Sequence, residues 1–177
     1  MAGKKQNLQT VTRRDLMPEG NDTAFRSMLY DFFAFASTLD EARAGFASRI
    51  GLSPTQYLSL IVIARADEPV GVNQVAKRLH LSGPFVTIEI NKLVKAGLVE
   101  KRPHPSDGRR VQLFATPLGL TSLARLAELQ RPVNDALFET LSGDEFDSLR
   151  DIMRRLSEGG ARAMQLARFH LHDRPDA

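Results

Sequence analysis

Cysteine is absent from the 177 residues of this chain. Its absence excludes a disulfide framework, a thiol nucleophile, thiolate zinc sites and cysteine-based peroxide sensing. Long apolar runs are also missing: the longest, residues 57–64, is far below the ~20 residues of a membrane span. The first nine residues include two lysines but no apolar segment after them, so we expect no signal peptide. These absences predict a soluble, cytoplasmic protein with no membrane partner.

Motifs of common enzyme classes are missing as well. The sequence has no GxGxxG fingerprint, Walker loop, HExxH motif or nucleophile elbow, so we expect neither an enzyme nor a cofactor. Among the four histidines, His170 and His172 lie close together and precede Asp173. This spacing could bind a metal, but in a tail expected to be frayed, residues 170–177, such spacing is more often accidental. A metal-responsive regulator therefore stays open as an alternative.

Charge is distributed unevenly along the chain. The net charge is +3, yet residues 70–112 hold eight basic and three acidic residues, a net charge of +5 that leaves −2 for the remainder. A basic centre between mildly acidic arms indicates that the centre meets a polyanion.

The periodicity of apolar residues predicts helices at both ends of the chain. Residues 1–21 lack periodicity and read as a flexible arm, and a long helix with an apolar stripe follows. A core-facing stripe is the default interpretation, although several phenylalanines spread beyond it and would suit a partner chain or ligand. Near the other end, Thr116 precedes a helix in which Pro132 predicts a kink or a new segment. Residues 142–145 form a capping box for a last helix, which extends past residues 159–160 only if that glycine pair is tolerated.

Helix and strand signals alternate in the centre. Ser53, Pro54 and Gln56 predict the start of a helix that ends near Asp67. Residues 72–79 and 82–96 then form a helix-turn-helix, with Ser82 as the cap of its second helix and a glycine at position 97 ending it. Residues 98–102 and 111–115 alternate as strands do around the turn-rich segment 103–110. This order predicts a mainly α fold with a small β-hairpin wing, a winged helix-turn-helix.

The chain resembles the MarR family of bacterial transcriptional regulators. The resemblance rests on the segments LSPTQYLSLIVIA, VNQVAKRLHLSGPFVTIEINKLVKAGLVEKR and HPSDGRRVQLFATPLG, in that order. It implies that residues 53–116 form the DNA-binding domain. Residues 22–52 and 117–169 then form N- and C-terminal dimerisation helices of a homodimer that reads a palindromic operator in double-stranded DNA.

The resemblance also implies the DNA-facing residues. The second helix of the motif faces the major groove, one wing arginine enters the minor groove, and nearby cations bind phosphate. These residues are Lys77, Arg78, Ser82, Gly83, Phe85, Thr87, Ile88, Asn91, Lys92, Arg109 and Arg110. Asp107 would brace the wing by pairing with an arginine.

Two positions depart from the pattern of the family. Ile88 stands where a basic residue is frequent, and Glu89 where an apolar one is usual. Glu89 must face solvent, accept a hydrogen bond from a base such as cytosine, or pair internally with Lys92 or Lys77.

Relatives of this kind often release DNA when a small aromatic acid, another anionic phenolic or an acyl-thioester binds. Aromatic and apolar side chains with arginines as anion partners would line such an effector pocket. The candidates are Phe25, Met28, Leu29, Phe32, Phe33, Phe35, Arg43, Arg49, Tyr57 and Arg65. The resemblance favours a repressor. A winged-helix module that binds protein remains the alternative, and the clustered bases of the wing disfavour it.

Overall fold

The chain folds mainly into helices. This computed structural model describes residues 8–172, with the side chains of positions 108, 109, 161, 171 and 172 outside the description. A 3-10 turn at Arg14–Leu16 precedes the main elements, which are α1 (Thr23–Arg49), α2 (Pro54–Ala64), α3 (Val72–Leu79), α4 (Gly83–Lys95), β1 (Val99–His104), β2 (Asp107–Ala115), α5 (Pro117–Leu137) and α6 (Gly143–His172). Mainly helical content with one β-hairpin confirms the predicted fold class.

Part of the predicted flexible arm has local structure. Besides the 3-10 turn, the backbone N–H and the hydroxyl of Thr10 both donate to the buried carboxylate of Asp22, at 2.9 and 3.0 Å. The backbone bond from Thr10 is the main cause that lowers the pKa of Asp22. These bonds anchor the segment to the start of α1, while residues 1–7 lie outside the described residues.

The start of α2 confirms the predicted capping box. Ser53 Oγ accepts from the N–H of Gln56 at 3.2 Å, and Ser53 N–H donates to Gln56 Oε1 at 3.1 Å. The helix ends at Ala64 rather than near Asp67 as predicted. The chain leaves the helix early because the carbonyl of Val70 accepts from the N–H of Leu113 at 2.9 Å, which draws this segment toward the hairpin.

Helices α3 and α4 form the predicted helix-turn-helix. His80 ends α3 in the left-handed region with φ 54°, and Leu81 N–H donates to the carbonyl of Ala76 at 3.0 Å. Ser82 is the N-cap of α4, but its side chain makes no capping bond, so that part of the prediction is wrong. The proline at position 84 in the first turn, which needs no N–H partner, supports the helix start instead. Gly97, with φ 72°, follows α4 as predicted.

The wing is longer than the sequence predicted. Strands β1 and β2 pair antiparallel from Val99 opposite Ala115 to His104 opposite Asp107, with an irregularity near the tip. Most of residues 103–110 is therefore strand and not loop, because main-chain pairing continues where the side-chain alternation has ended. Residues 105–106 alone form the turn.

The core lies where α2, α3, α4 and the hairpin meet. Its buried residues are Leu60, Ile63, Val75, Ala76, Val86, Ile90, Leu93, Leu98, Val99 and Leu113. A second cluster joins α1, α2 and α5 through Ala47, Tyr57 and Leu126. The predicted inner faces of α3 and α4 are thus confirmed.

The N-terminal part of α1 does not supply core, so the default interpretation of its stripe is wrong for the described chain. Ala47 is the helix's buried residue, whereas Phe32 and Phe33 are 41% and 63% exposed. This apolar stripe lies in the N-terminal half of α1, before the residues of α1 that contact α2.

The chain divides into two compact units after Gln130, within α5. Helix α5 continues through Pro132 to Leu137, so this proline does not start a new segment. In the second unit, the predicted capping box at Ser142 is present, with Glu145 accepting from its N–H at 2.8 Å. Helix α6 then runs through both glycines at 159–160, as the extended alternative predicted, since an isolated pair lowers helix propensity without ending a 30-residue helix. Within the described part of the chain, no helix is both long and apolar enough to cross a membrane.

Candidate nucleic-acid interface

A buried carboxylate holds α4 against α2. Glu89, 5% exposed, accepts from Lys92 Nζ and from Gln56 Nε2, both at 2.8 Å, and Ser53 Oγ lies at 3.5 Å. Of the alternatives left open for this residue, internal pairing is the one the structure shows. The capping residues of α2 and the inner face of α4 thus share one acceptor.

The electrostatics of this contact favour the ionised form of Glu89. The hydrogen bond from the Lys92 ammonium is the largest cause that lowers the pKa of Glu89, and the bond from Gln56 adds to it. Burial acts in the opposite direction but is outweighed. A charged carboxylate at this position fixes the rotation of α4 about its axis and hence which side chains it exposes.

The exposed face of α4 carries most of the predicted contacts. Phe85 and Ile88 are 43% and 54% exposed, and Asn91 and Lys92 are exposed as well. Thr87 is half-buried, and its hydroxyl donates to the carbonyl of Gly83 at 2.8 Å, which leaves its oxygen as an acceptor toward a ligand.

Lys101 on β1 was not among the predicted residues. Its Nζ donates to Oδ1 of Asn91 at 2.5 Å, so a wing strand is tied to the exposed face of α4. The amide N–H₂ of Asn91 is then directed away from this bond and remains a donor. The pattern of basic residues marked Lys101 as part of the charged segment, but its partner depends on the packing of α4 against β1.

The wing places two predicted arginines on β2. The backbone of Arg109 lies in that strand, while its side chain falls outside the described residues. Arg110 is exposed and lines a cleft beside Gly71 and Val111. Asp107, predicted to brace the wing, begins β2 opposite His104, and its bracing role stays a prediction.

The remaining predicted contacts surround the start of α4. Lys77 and Arg78 are exposed in the last turn of α3, and Ser82 is exposed at the N-cap of α4. Gly83 begins α4 and lies half-buried beside Asn73. Together with the face of α4 and the wing, these groups form one basic surface on the first unit.

Another basic residue of the hairpin is used internally. Arg102 forms an ion pair with Glu100, and its guanidinium lies 4.4 Å from the ring centroid of Phe114. This stacking covers an aromatic face on the hairpin and directs one of the eight central cations toward the protein.

The end of α4 and the start of α5 are joined through Thr116. Its hydroxyl donates to the carbonyl of Gly97 at 2.6 Å and accepts from the N–H of Gly119 at 3.1 Å. Gly119 is buried, and a Cβ there would lie 2.3 Å from the carbonyl oxygen of Leu98. The segment TPLG therefore needs a hydroxyl and a glycine at these spacings, because two backbones meet there.

The predicted effector residues lie in different surroundings within the described part of the chain. Tyr57 is buried, and its hydroxyl accepts from Gln130 Nε2; burial is the main cause that raises its pKa. Arg43 pairs with Asp40 at 2.8 Å, and Arg65 is exposed at the end of α2. The apolar candidates on α1 are exposed or half-buried: Phe25, Met28, Leu29, Phe32, Phe33 and Phe35.

Arg49 lines a groove that the sequence did not predict. The groove has a volume of about 340 Å³, and its other lining residues are Ile50, Ser122, Arg125, Leu126 and Leu129. Two guanidinium groups above an apolar floor can hold an anion that carries an apolar part. Arg125 was missed because only the tertiary fold brings α5 beside the end of α1.

Fold and surface together define a winged helix-turn-helix protein, and the comparisons with known proteins agree. A model of the MarR family matches residues 50–110. The HTH-type transcriptional regulator YcgE of Bacillus subtilis is 31% identical over 93 residues, which are 52% of this chain and 58% of that protein. An uncharacterized protein of Mycobacterium tuberculosis is 28% identical over 129 residues, 73% of this chain and 89% of that one.

Solved structures show the same fold. The transcriptional regulator SlyA has a TM-score of 0.66 at 17% identity, covering 79% of this chain and 98% of its own. A mutant of MarR from E. coli, complexed with operator DNA, has a TM-score of 0.62 at 19% identity and covers 83% of this chain and 99% of its own. PcaV from Streptomyces coelicolor, in complex with its natural ligand, has a TM-score of 0.56 at 25% identity and covers 71% of this chain and 90% of its own. This chain is therefore similar to the MarR family of transcriptional regulators over residues 50–110, and it shares the winged helix-turn-helix fold of the solved structures.

Proposed function

We propose that this protein is a ligand-responsive repressor that binds a palindromic DNA operator as a homodimer. The observation that carries the proposal is the basic surface formed by the exposed face of α4, the end of α3 and the wing. Glu89 leaves that surface free of negative charge from α4, because its internal pairing removes the one acidic side chain of α4 from the exposed face. Relatives of the same fold, the MarR mutant from E. coli and MepR from S. aureus, were solved with operator DNA and with an oligodeoxyribonucleotide respectively.

The DNA contacts follow from the chemistry of each group. Asn91 would offer an amide donor and Thr87 an acceptor to base edges, while Lys77, Arg78 and Lys92 would neutralise phosphates. Lys92 can bond a phosphate while it pairs with Glu89, because an ammonium has three donors and its side chain is 57% exposed. In this proposal the arginines of the wing, Arg109 and Arg110, bind the minor groove, where the negative potential attracts cations.

Homodimer formation would cover apolar side chains that the single chain exposes. Phe32 and Phe33 on α1 are large and exposed, and α6 separately exposes Leu156, Leu166 and Phe169 at 59%, 61% and 64%. Burying apolar surface contributes about 25 cal/mol per Å², so leaving these side chains in water is costly. Two-fold symmetry would place two copies of α4 about one helical turn of DNA apart, ~34–36 Å.

The effector in this proposal is a small aromatic acid or an acyl-thioester, held in the groove between α1 and α5. Arg49 and Arg125 would bind its anionic group, with Ile50 and Leu129 against its apolar part. The proposed dimer has two conformations, one in which the two copies of α4 match the spacing of the DNA half-sites and one in which they do not. Release of DNA requires that the ligand bind the second conformation more tightly than the first. In a screen of aromatic acids and their CoA esters, Arg49→Ala should weaken ligand-induced release without changing the affinity for DNA.

Salt dependence of binding tests the DNA-binding surface. A duplex selected from a random pool should bind with an affinity that falls steeply with salt, since each phosphate contact adds about −0.9 to the slope of log K against log salt. Arg109→Ala should lower the affinity for most sequences and reduce that slope by about 1. The matched control is Arg150→Ala on α6, an exposed arginine paired with Asp147. Absence of salt-sensitive binding, or unchanged binding after Arg109→Ala, would contradict the assignment and favour a protein-binding module.

Sedimentation measures the proposed dimer. Phe32→Ala should shift the mass toward the monomer or impair the response to effector, because it removes an apolar side chain from the exposed stripe of α1. Val111→Ala, an apolar residue 39% exposed on the wing, should leave the dimer unchanged. A Phe32→Ala protein with the mass and effector response of the wild type would exclude α1 from the interface.

A further inference from the structure

Two large apolar side chains stand exposed on α4. Phe85 and Ile88 are 43% and 54% exposed, and their spacing of three residues places them on the same face of the helix, one turn apart. The apolar residues of α4 needed for its core, Val86, Ile90 and Leu93, are fully buried. The exposed pair is therefore not required for folding of the helix against its neighbours.

The polar side chains beside this pair are partly used within the protein. Thr87 donates its hydroxyl proton to the carbonyl of Gly83 at 2.8 Å, and Asn91 accepts from Lys101 at 2.5 Å. Each keeps only part of its hydrogen-bonding capacity for a partner. The apolar pair consequently makes up much of the surface that the first three turns of α4 offer.

The surroundings of the pair define the chemistry of its partner. Exposed cations lie on α4 and on the elements that pack against it: Lys92 on α4, Lys77 and Arg78 on α3, and Lys101 on β1, which bonds Asn91. A partner that fits must be anionic around its edge and apolar at its centre. The major groove of a duplex meets this description where phosphates flank the C5-methyl groups of thymines, which are the apolar feature of its base edges.

We infer that Phe85 and Ile88 together read thymine methyl groups, and so set the base preference of α4 by apolar contact. This inference rests on the proposed DNA-binding function and specifies which feature of the duplex is recognised. A basic side chain at position 88 would bond guanine or phosphate. Isoleucine cannot do either, so it should direct the protein toward thymine at the base pair that it faces.

Deoxyuridine substitution tests the inference, because it removes the methyl group and leaves the base pairing intact. In a duplex selected from a random pool, each thymine is replaced singly and the affinity is measured at fixed salt. Loss of one buried methyl should weaken binding about fourfold. We expect such losses at two thymines in a half-site, one facing each side chain.

Protein variants assign each methyl group to a side chain. Ile88→Ala should bind the thymine and uracil duplexes equally at its own position and keep the discrimination at the other, and Phe85→Ala should do the converse. Leu118→Ala, a residue 57% exposed on α5, is the matched control and should keep both discriminations. Far-UV circular dichroism checks that each variant is folded.

The possible results separate this inference from the function on which it rests. If the wild type binds no duplex in a salt-sensitive manner, the proposed function fails. If it binds but tolerates uracil at every thymine, the DNA-binding function stands and the methyl readout is wrong. Discrimination that persists in both alanine variants would assign the readout to other residues and also overturn the inference.

Discussion

Replacing Gly119 with alanine should destabilise the protein, although alanine is the better helix former. Gly119 lies in the first turn of α5, where a Cβ would meet the carbonyl oxygen of Leu98 at 2.3 Å and Leu60 Cδ1 at 3.3 Å. The carbonyl belongs to the backbone and also accepts from the N–H of Thr116 at 3.0 Å, so it has little freedom to move. Ordinary contact at 3.4 Å would require α5 and the entry to β1 to separate by roughly 1 Å.

The magnitude follows from three opposing contributions. Overpacking in a close-packed site costs about 1–3 kcal/mol. Weakening the bond from Thr116 to Leu98 costs a further ~1 kcal/mol. The higher helix propensity of alanine stabilises the folded state by about 1 kcal/mol. We therefore expect Gly119→Ala to lower the free energy of unfolding by about 1–3 kcal/mol.

Urea unfolding followed by circular dichroism measures this change, at one fixed protein concentration because a dimer's stability depends on concentration. Gly45→Ala is the matched control: Gly45 lies inside α1, and its added Cβ would meet nothing within 4 Å. That variant should be more stable than the wild type by up to ~1 kcal/mol. A Gly119→Ala protein as stable as Gly45→Ala would refute the close approach of α5 to Leu98.

Two further predictions concern the helix-turn-helix. The pKa of Glu89 is lowered in the folded protein, first by the hydrogen bond from Lys92. The ionised carboxylate therefore stabilises the folded state at a pH above the ordinary glutamate pKa of about 4.3, and this contribution is lost as the pH falls through the lower pKa of the folded state. Glu89→Gln should therefore be less stable than the wild type at pH 7, with a difference that shrinks in urea titrations toward pH 3; a constant difference would contradict the ionised pairing. His80→Gly should stabilise the protein by about 0.5–1 kcal/mol, because a non-glycine residue with φ 54° is strained. Thermal unfolding measures this change. A midpoint lower than that of the wild type would show that the imidazole makes a stabilising contact instead.

The sequence predicted those features that arise from neighbours in the chain. The capping boxes at Ser53 and Ser142 form between residues three positions apart, so the residue types at those positions suffice to identify them. Gly97 likewise ends α4 because only its own backbone must enter the left-handed region. The order of these local signals, followed by an alternating hairpin, was enough to predict a winged helix-turn-helix.

The boundaries of elements were less predictable where distant segments set them. The bond between Val70 and Leu113 ends α2 early, and the pairing of β1 with β2 continues beyond the alternating residues. In these two cases the competing interaction was absent from the local pattern. Ser82 has the right identity for a capping side chain but makes no such bond, and nothing in the structure explains that difference from Ser53.

By itself, the sequence determined the succession of helices, the hairpin and the concentration of positive charge at the centre, because each depends on composition or on spacing within one turn. The tertiary structure alone decided that Glu89 is buried against Gln56, that Lys101 bonds Asn91 and that Arg49 shares a groove with Arg125. These contacts join residues 10 to 76 positions apart in the chain. No local rule specifies such pairs, since they form only when the apolar faces of α2, α4, α5 and the hairpin have packed and fixed the directions of their polar side chains.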